Sequence, residues 1–275
     1  MTTQPIQRVN VEKRGRHYLL PSGKLVPSIT NILDILDKPA LKWWAGDIER
    51  KACIQAAIDV GPDETRIRAE LARKFGTTRK GRVKFAHEAN LADAGDIGTE
   101  LHELIQSHLK GEPQAKASEN ALLAFMAWED WAQRVSLEPI HVETMLGSDL
   151  LGVGGTLDCA AHAAIPAFRD PREDLYAPVV FDWKSSKRSK TSPTGIYPEA
   201  MIQVSVYREM AIEMGLVSDD AWAAVVRLPK SIDDPCINEK KLDVEWIEPE
   251  RATKYARGFL SIADTWIFMK TEFGG

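Results

Sequence analysis

The sequence contains few cysteines, and their positions exclude several kinds of site. Cys53, Cys159 and Cys236 lie far apart, and no two of them form a Cys-x-x-Cys motif. A four-cysteine zinc site or a cysteine-ligated iron–sulfur cluster needs four thiolates, and a disulfide framework needs an even set of paired cysteines. We therefore expect no iron–sulfur cluster, no structural zinc of this type and a reducing compartment.

Long hydrophobic runs, internal repeats and low-complexity tracts are also missing. A membrane-spanning helix needs about 20 consecutive apolar residues, and the N-terminal stretch MTTQPIQRVNVEKRG lacks the apolar core of a signal peptide. These absences predict a soluble, cytoplasmic protein without a membrane partner. The chain has 275 residues, of which 44% are hydrophobic, and this suffices for one large domain or two small ones.

Positive charge is concentrated in two places although the net charge is −5. The stretch ETRIRAELARKFGTTRKGRVK, residues 64–84, holds eight lysines and arginines against two glutamates. A second cluster consists of Lys184, Lys187, Arg188 and Lys190. Two interpretations stay open at this point. Each stretch is either a restricted nucleic-acid surface or an ordinary solvated face of a helix or loop.

The chain up to about residue 137 shows mainly helical patterns. Ser28 is a candidate N-cap, and Pro39 stands where a second helix would begin. Further helices are predicted near 63–75, 96–110 and 118–135. We therefore predict a helical N-terminal region over residues 1–94.

Extended patterns follow after residue 137. The runs PIHVETML and GVGGTLDCAAHA flank the turn-like GSDL and predict a β-hairpin. If its turn is centred between Asp149 and Leu150, Glu143 opposes Thr156 and lies diagonal to Asp158 on the same face. The remaining predicted elements are a buried strand at 178–183, a helix at 198–215, strands at 221–228 and 241–247, and a closing helix from 249 to about 269. This order predicts an α/β fold with a mixed sheet flanked by helices over residues 95–275.

Side chains that can do chemistry follow or accompany these elements. Asp182 and Lys184 end the apolar run VVFDWKSSK, and both project to one side of the strand because side chains alternate. Gln203 and Tyr207, four apart, share one face of their helix, and His102 lies beside the apolar stripe of an earlier helix. Taken singly, each is commonly a surface strand end, a solvated helix edge or a structural histidine.

As an ordered set, these residues resemble the PD-(D/E)xK nuclease superfamily, specifically its RecB-like exonuclease branch. The matching motifs are a helical histidine, a Gly-x-x-Asp, an acid-x-Lys and a Gln-x-x-x-Tyr, at His102, Gly155 to Asp158, Asp182 to Lys184, and Gln203 to Tyr207. The resemblance covers roughly residues 95–230. The leader GKLVPSITNILDIL is similar to the PSVT-IL segment that precedes this core in phage-type and mitochondrial genome-maintenance members. The four cluster-binding cysteines of some relatives and any helicase motif are missing.

The resemblance implies a restriction-endonuclease-like fold and a stand-alone DNA exonuclease that depends on Mg²⁺ or Mn²⁺ and acts in recombination, repair or phage DNA processing. DNA is the implied partner, contacted in part by the N-terminal region, and a recombination or single-strand-binding protein is a further candidate. Two alternatives stay open. They are a catalytically inactive DNA-binding scaffold of the same fold, and a structure- or sequence-specific endonuclease.

Roles for the site residues follow from the resemblance and from the needs of phosphodiester hydrolysis, which requires an activated water and neutralisation of phosphate charge. The expected metal ligands are two carboxylates, an imidazole and a main-chain carbonyl, those of Asp158, Asp182, His102 and Trp183. Lys184 is expected to orient or help deprotonate the attacking water. Glu143 is expected either to bridge a second metal or to hold one of the ligands. The residues predicted to contact DNA are Gln203, Tyr207, Lys187, Arg188, Ser28 and Thr30.

Overall fold

The computed structural model describes residues 5–12, 14–36, 39–114, 116–166, 175–188, 192–239 and 241–273, with only the main chain for 39–41 and 90–96. Contacts between residues group the chain into two compact units. One unit contains the chain up to Leu36 together with everything from Glu100 onward, and the other contains Asp37–Thr99. This grouping differs from a division at residue 94, since the first residues of the chain belong with the C-terminal part.

The first unit contains two β-sheets. Strands β1 (Gln7–Val11), β2 (Gly15–Leu19) and β3 (Leu25–Pro27) form a small antiparallel sheet in that order. The five strands of the larger sheet lie side by side in chain order: β4 (Glu138–Ser148), β5 (Val153–Ile165), β6 (Leu175–Ser185), β7 (Trp222–Leu228) and β8 (Asp243–Ile247). Neighbours are antiparallel except β6 and β7, which are parallel. The predicted α/β class with a mixed sheet is therefore confirmed.

Helices account for most of the remaining described residues. They are α1 (Ile29–Leu33), α2 (Pro39–Val60), α3 (Glu64–Phe75), α4 (Ala86–Lys110), α5 (Glu119–Arg134), α6 (Pro198–Glu213), α7 (Pro235–Glu239) and α8 (Pro249–Phe273). The predicted starts at Ser28 and Pro39 are confirmed, because the Ser28 hydroxyl caps α1 and α2 begins at Pro39. Among the described helices, none combines the length and apolar character that a membrane crossing requires.

The prediction of a helical N-terminal region is wrong for residues 7–27, which form the three-stranded sheet. These strands are short, and most of β1 is exposed, so they carry too few apolar side chains to give a clear alternating pattern. Contacts made far along the chain hold them instead. The side chain of Tyr18 packs against Gly154, where an added Cβ would lie 2.6 Å from it, and Tyr18 Oη lies 3.0 Å from Thr156 Oγ1.

Strand β6 is the central strand of the larger sheet and has helices on both sides. Trp183 contacts the rings of Trp128 and Trp131 in α5, at centroid distances of 5.9 and 6.1 Å. The adjacent Asp182 accepts a hydrogen bond from Gln203 of α6. Since neighbouring side chains of a strand point to opposite faces, α5 and α6 cover opposite faces of the sheet. Asp182 therefore emerges on the α6 side.

The second unit consists of α2, α3, the first part of α4 and a short turn. Helix α3 begins at the predicted position, where the Asp63 carboxylate caps it, and ends at Gly76 with a φ of 75°. Lys74 of α3 pairs with Asp59 of α2 at 2.7 Å. The predicted helix near 63–75 is therefore confirmed.

Candidate active site

The register of the β4–β5 hairpin places two acidic residues opposite each other. Val142 pairs with Cys159 and Thr144 pairs with Leu157, so Glu143 lies opposite Asp158. The predicted opposition of Glu143 and Thr156 is wrong, since Thr156 pairs with Met145. The turn extends to Gly152, whose φ is 65°. The centre of the turn therefore lies one residue later than predicted. As a result, each residue of β4 faces a residue of β5 two positions later than predicted. The predicted proximity of Glu143 and Asp158 survives because an even shift keeps both on one face.

A histidine from α4 completes a group of possible metal ligands. One ligand atom each from His102, Glu143 and Asp158 lies within 4.8 Å of the other two. His102 Nδ1 is 3.8 Å from Asp158 Oδ1. Glu143 adopts a positive φ of 50°, which is uncommon for a residue other than glycine, and such strained backbone conformations are enriched at functional sites. We refer to His102, Glu143 and Asp158 as the acid–histidine cluster.

Asp182 and Lys184 lie on one face at the end of β6, as the alternation along the strand predicts. Lys184 Nζ is 2.9 Å from Asp182 Oδ1 and 2.7 Å from Oδ2. Asp182 is 1% exposed. Its carboxylate is not one of the three ligand groups of the acid–histidine cluster, and it contacts Lys184 and Gln203 instead. Its role as a principal metal ligand stays a prediction.

The acid–histidine cluster is connected to β6 through the main chain of Trp183. The Trp183 N–H donates to Asp158 Oδ2 at 2.7 Å. This bond orients the Asp158 carboxylate and fixes it relative to Asp182 and Lys184 on either side of Trp183. That the Trp183 carbonyl binds the metal stays a prediction.

Gln203 and Tyr207 are buried, with exposed fractions of 8% and 4%. Gln203 Nε2 donates to Asp182 Oδ1 at 3.1 Å and to Tyr207 Oη at 2.9 Å. The ring of Tyr207 fits against Gly155. These contacts make the pair a support for Asp182, and a direct contact with DNA stays a prediction.

Substitution of Gly155 by alanine tests this support. A Cβ at this position would lie 2.3 Å from Tyr207 Cε1, so the Tyr207 ring must move and Gln203 with it. We expect Gly155→Ala to lower the free energy of unfolding by about 1–3 kcal/mol. In the control Gly258→Ala, on α8, the new methyl meets no atom within 4 Å, and we expect a gain of about 1 kcal/mol from helix propensity. Urea denaturation measures both, and equal stabilities would contradict the close packing.

Burial and mutual repulsion alter the protonation of the acidic groups. Burial, reinforced by the charge of Asp158, raises the pKa of Glu143 to about 7. Burial also raises the pKa of Asp182, and the nearby Lys184 opposes this increase only in part. Burial lowers the pKa of Lys184, but attraction by Asp182 and Asp158 outweighs it and the pKa is raised. Lys184 therefore stays protonated near neutral pH.

The raised pKa of Glu143 predicts how stability varies with pH in the metal-free protein. In the folded state the Glu143 carboxyl group keeps its proton up to about pH 7, whereas in the unfolded chain it releases the proton near its ordinary pKa of 4.5. The folded state thus binds more protons in this window, and stability falls as pH rises through it, by up to about 1.4 kcal/mol per pH unit. Urea denaturation in EDTA should show this decrease in the wild type and a smaller one in Glu143→Gln. Identical slopes would contradict the assignment.

The other residues predicted to contact DNA have mixed surroundings. Ser28 Oγ accepts a hydrogen bond from the Asn31 N–H and lies 2.9 Å from Thr30 Oγ1, so both hydroxyls are engaged at the cap of α1. Arg188 forms a two-pronged ion pair with Asp243, both contacts at 2.8 Å. Lys187 is exposed. Lys190, in the same predicted basic cluster, lies outside the described residues.

Sequence patterns did not identify Arg227, a fully buried residue next to the site. It pairs with Lys184 in the parallel register of β6 and β7, and its guanidinium contacts Asp234 at 2.7 Å and Asp243 at 2.8 Å. It also donates to the Ser186 carbonyl at 2.9 Å. Arg227 therefore holds the chain that leaves β6. A single arginine within the apolar run AWAAVVRL was the available signal.

The donor groups suit a hard divalent cation. Carboxylate oxygens favour Mg²⁺ or Mn²⁺, and one histidine nitrogen is compatible with Mn²⁺. Asp182 Oδ2 is buried and has no hydrogen bond of regular geometry in the described part of the chain, although Lys184 Nζ is close. A buried carboxylate oxygen with spare acceptor capacity fits a site that gains a cation. His102, Glu143 and Asp158, with Asp182 beside them, could hold such an ion.

Comparison with known proteins adds no relative to these observations. The chain matches no protein-family model, and the search of curated proteins found no significant match.

Proposed function

We propose that this chain is a metal-dependent DNA exonuclease that hydrolyses phosphodiester bonds in recombination, repair or phage DNA processing, with a restriction-endonuclease-like fold. The observation that carries the proposal is the position of the acid–histidine cluster. It lies directly beside an Asp182–Lys184 pair at the end of the central strand, and the Trp183 N–H connects the two groups. Hard metal ligands next to a compact cation suit hydrolysis of a phosphate ester.

The residues of the chain divide the work between metal binding and charge stabilisation. His102, Glu143 and Asp158 would hold the cation, and Asp182, which Lys184 and Gln203 hold next to this cluster, would add a further acidic group beside it. A bound divalent cation supplies neutralisation of the phosphate and a lower pKa for the attacking water. Glu143 would have to give up its proton in order to bind a cation, so the affinity for the metal should increase with pH.

Lys184 acts as a protonated ammonium group in this proposal. Its pKa is raised by Asp182 and Asp158, which makes it a poor base near neutral pH. It donates hydrogen bonds to the attacking water and to a phosphate oxygen, where negative charge increases in the transition state. Gln203 and Tyr207 hold Asp182 in place for this geometry.

The proposal is tested with end-labelled DNA. Single-stranded, double-stranded and covalently closed circular DNA are incubated with the purified protein in Mg²⁺, in Mn²⁺ and in EDTA. We expect shortening of linear DNA from an end with either metal, no cleavage in EDTA and no nicking of the closed circle.

Other outcomes separate the alternatives. Nicking of the closed circle would identify an endonuclease and contradict the exonuclease assignment. Binding of linear DNA without cleavage in either metal would support a scaffold and contradict catalysis. Cleavage that continues unchanged in EDTA would contradict the role of the metal.

A further inference from the structure

The small N-terminal sheet presents two arginines on one face. Arg8 lies directly opposite Tyr18 in the β1–β2 register, and Arg16 precedes Tyr18 by two residues. Opposite residues of an antiparallel pair share a face, as do residues two apart in one strand. Arg8, Arg16 and Tyr18 therefore project to the same side of this sheet.

This face of the small sheet packs on strand β5 close to the acid–histidine cluster. Tyr18 contacts Gly154, and its hydroxyl lies 3.0 Å from Thr156 Oγ1, two residues before Asp158. The charges of Arg8 and Arg16 act on the site, since both oppose the increase in the pKa of Glu143 that burial causes. Arg16 also opposes the increase in the pKa of Lys184. The two guanidinium groups thus lie within electrostatic reach of the groups proposed to do chemistry.

Both arginines have free hydrogen-bonding capacity. They are exposed, and neither forms an ion pair or a side-chain hydrogen bond with any residue that the structure describes. Three buried or half-buried arginines of the same unit differ in this respect. Arg188, Arg208 and Arg227 are each engaged by acidic side chains or carbonyl groups.

A polyanionic substrate needs additional positive charge at this location. Without a cation, the acidic groups of Glu143, Asp158 and Asp182 outnumber the one ammonium group of Lys184, so the site itself offers little attraction to a phosphate backbone. Guanidinium groups bind phosphate oxygens in a two-pronged geometry and keep their charge at every accessible pH. Unpaired arginines beside an acidic site are suited to hold the phosphates that flank the scissile one.

We propose that Arg8 and Arg16 form a phosphate-binding pair that holds the DNA strand beside the acid–histidine cluster. The small N-terminal sheet is then a substrate-binding element of the active site. The inference rests on the proposed function insofar as the strand held there is the one to be cut. Binding itself can be measured without cleavage.

The test is a salt titration of DNA binding in EDTA. Fluorescent single-stranded and duplex oligonucleotides are titrated with wild type, with the double variant Arg8→Gln/Arg16→Gln and with Arg257→Gln as the control. Arg257 is exposed on α8. Loss of two phosphate contacts should make the slope of log K against log salt concentration shallower by about 1.4 for a single strand and about 1.8 for a duplex. We also expect affinity to fall by about tenfold or more at low salt, and the control to match wild type.

Several results would overturn the inference. An unchanged slope and affinity in the double variant would do so, as would an equal loss in the Arg257 control. Thermal melting of each variant verifies the fold, and because both arginines are exposed we expect melting to stay at the wild-type temperature. If the wild type binds no DNA in EDTA or with Ca²⁺, the inference fails together with the proposed function.

Failure of the proposed function can be distinguished. If the wild type binds DNA with the predicted slope but never cuts it in Mg²⁺ or Mn²⁺, the phosphate-binding pair is supported and the nuclease function is contradicted. If the wild type cuts DNA and the double variant has an unchanged KM and kcat, the phosphate-binding pair is contradicted and the nuclease function is not. The inference predicts a higher KM with kcat retained.

Discussion

Replacement of Lys184 by alanine lowers the rate of DNA cleavage at saturating metal by about 10³-fold or more if Lys184 stabilises the transition state. The side chain contacts both oxygens of Asp182, and no other described cation is that close to the carboxylate. Without it, the largest influence that opposes burial is lost and the pKa of Asp182 rises further, so the acid loses charge together with the ammonium group. Single-turnover cleavage of an end-labelled oligonucleotide measures the effect.

The matched control for this prediction is Lys254→Ala. Lys254 is exposed on α8, so its removal should leave cleavage at the wild-type rate. The Lys184 side chain is itself 34% exposed, and the Lys184→Ala protein should retain its circular-dichroism spectrum. Cleavage at the wild-type rate by folded Lys184→Ala would eliminate the proposed role.

The second large effect is expected for Asp158→Asn, which removes a charge and preserves shape. An asparagine oxygen can still accept the hydrogen bond from the Trp183 N–H, now 2.7 Å from Asp158 Oδ2. The connection between β5 and β6 should therefore persist. Loss of the anionic ligand should weaken Mn²⁺ binding by more than about 100-fold, beyond the usual effect of a supporting residue, and should reduce cleavage by about 10³-fold.

Calorimetric titration with Mn²⁺ and the cleavage assay measure these two effects separately. Asp130→Asn, an exposed position on α5, is the control and should bind Mn²⁺ as the wild type does. Wild-type Mn²⁺ affinity in folded Asp158→Asn would show that the acid–histidine cluster is not the metal site.

Local patterns allowed prediction of the central part of the fold. The run from Val179 to Phe181 is apolar because β6 is buried on both faces, and the acid that follows it, Asp182, therefore stood out. Alternation along the strand was enough to place Asp182 and Lys184 together. The same periodicity placed Glu143 near Asp158, although the exact partner depended on the turn, whose length the pattern GSDL did not define.

Contacts between distant parts of the chain were not predictable. Strands β1 to β3 are held by Tyr18 against Gly154 and Thr156, and no local pattern reports such packing. The contacts of Gln203 with Asp182 and with the Tyr207 hydroxyl were not predicted either. A polar side chain at helical spacing gives the same pattern whether it faces solvent or a buried acid.

The most direct test of the central claim is the rate of cleavage of one end-labelled linear duplex as a function of Mn²⁺ concentration, for wild type and Asp158→Asn. The acid–histidine cluster predicts a saturable metal dependence in the wild type and, in the variant, a rate that is about 10³-fold lower at every Mn²⁺ concentration. Equal metal-dependent cleavage by both proteins, or cleavage by the wild type that does not respond to Mn²⁺, would contradict a nuclease built on His102, Glu143 and Asp158.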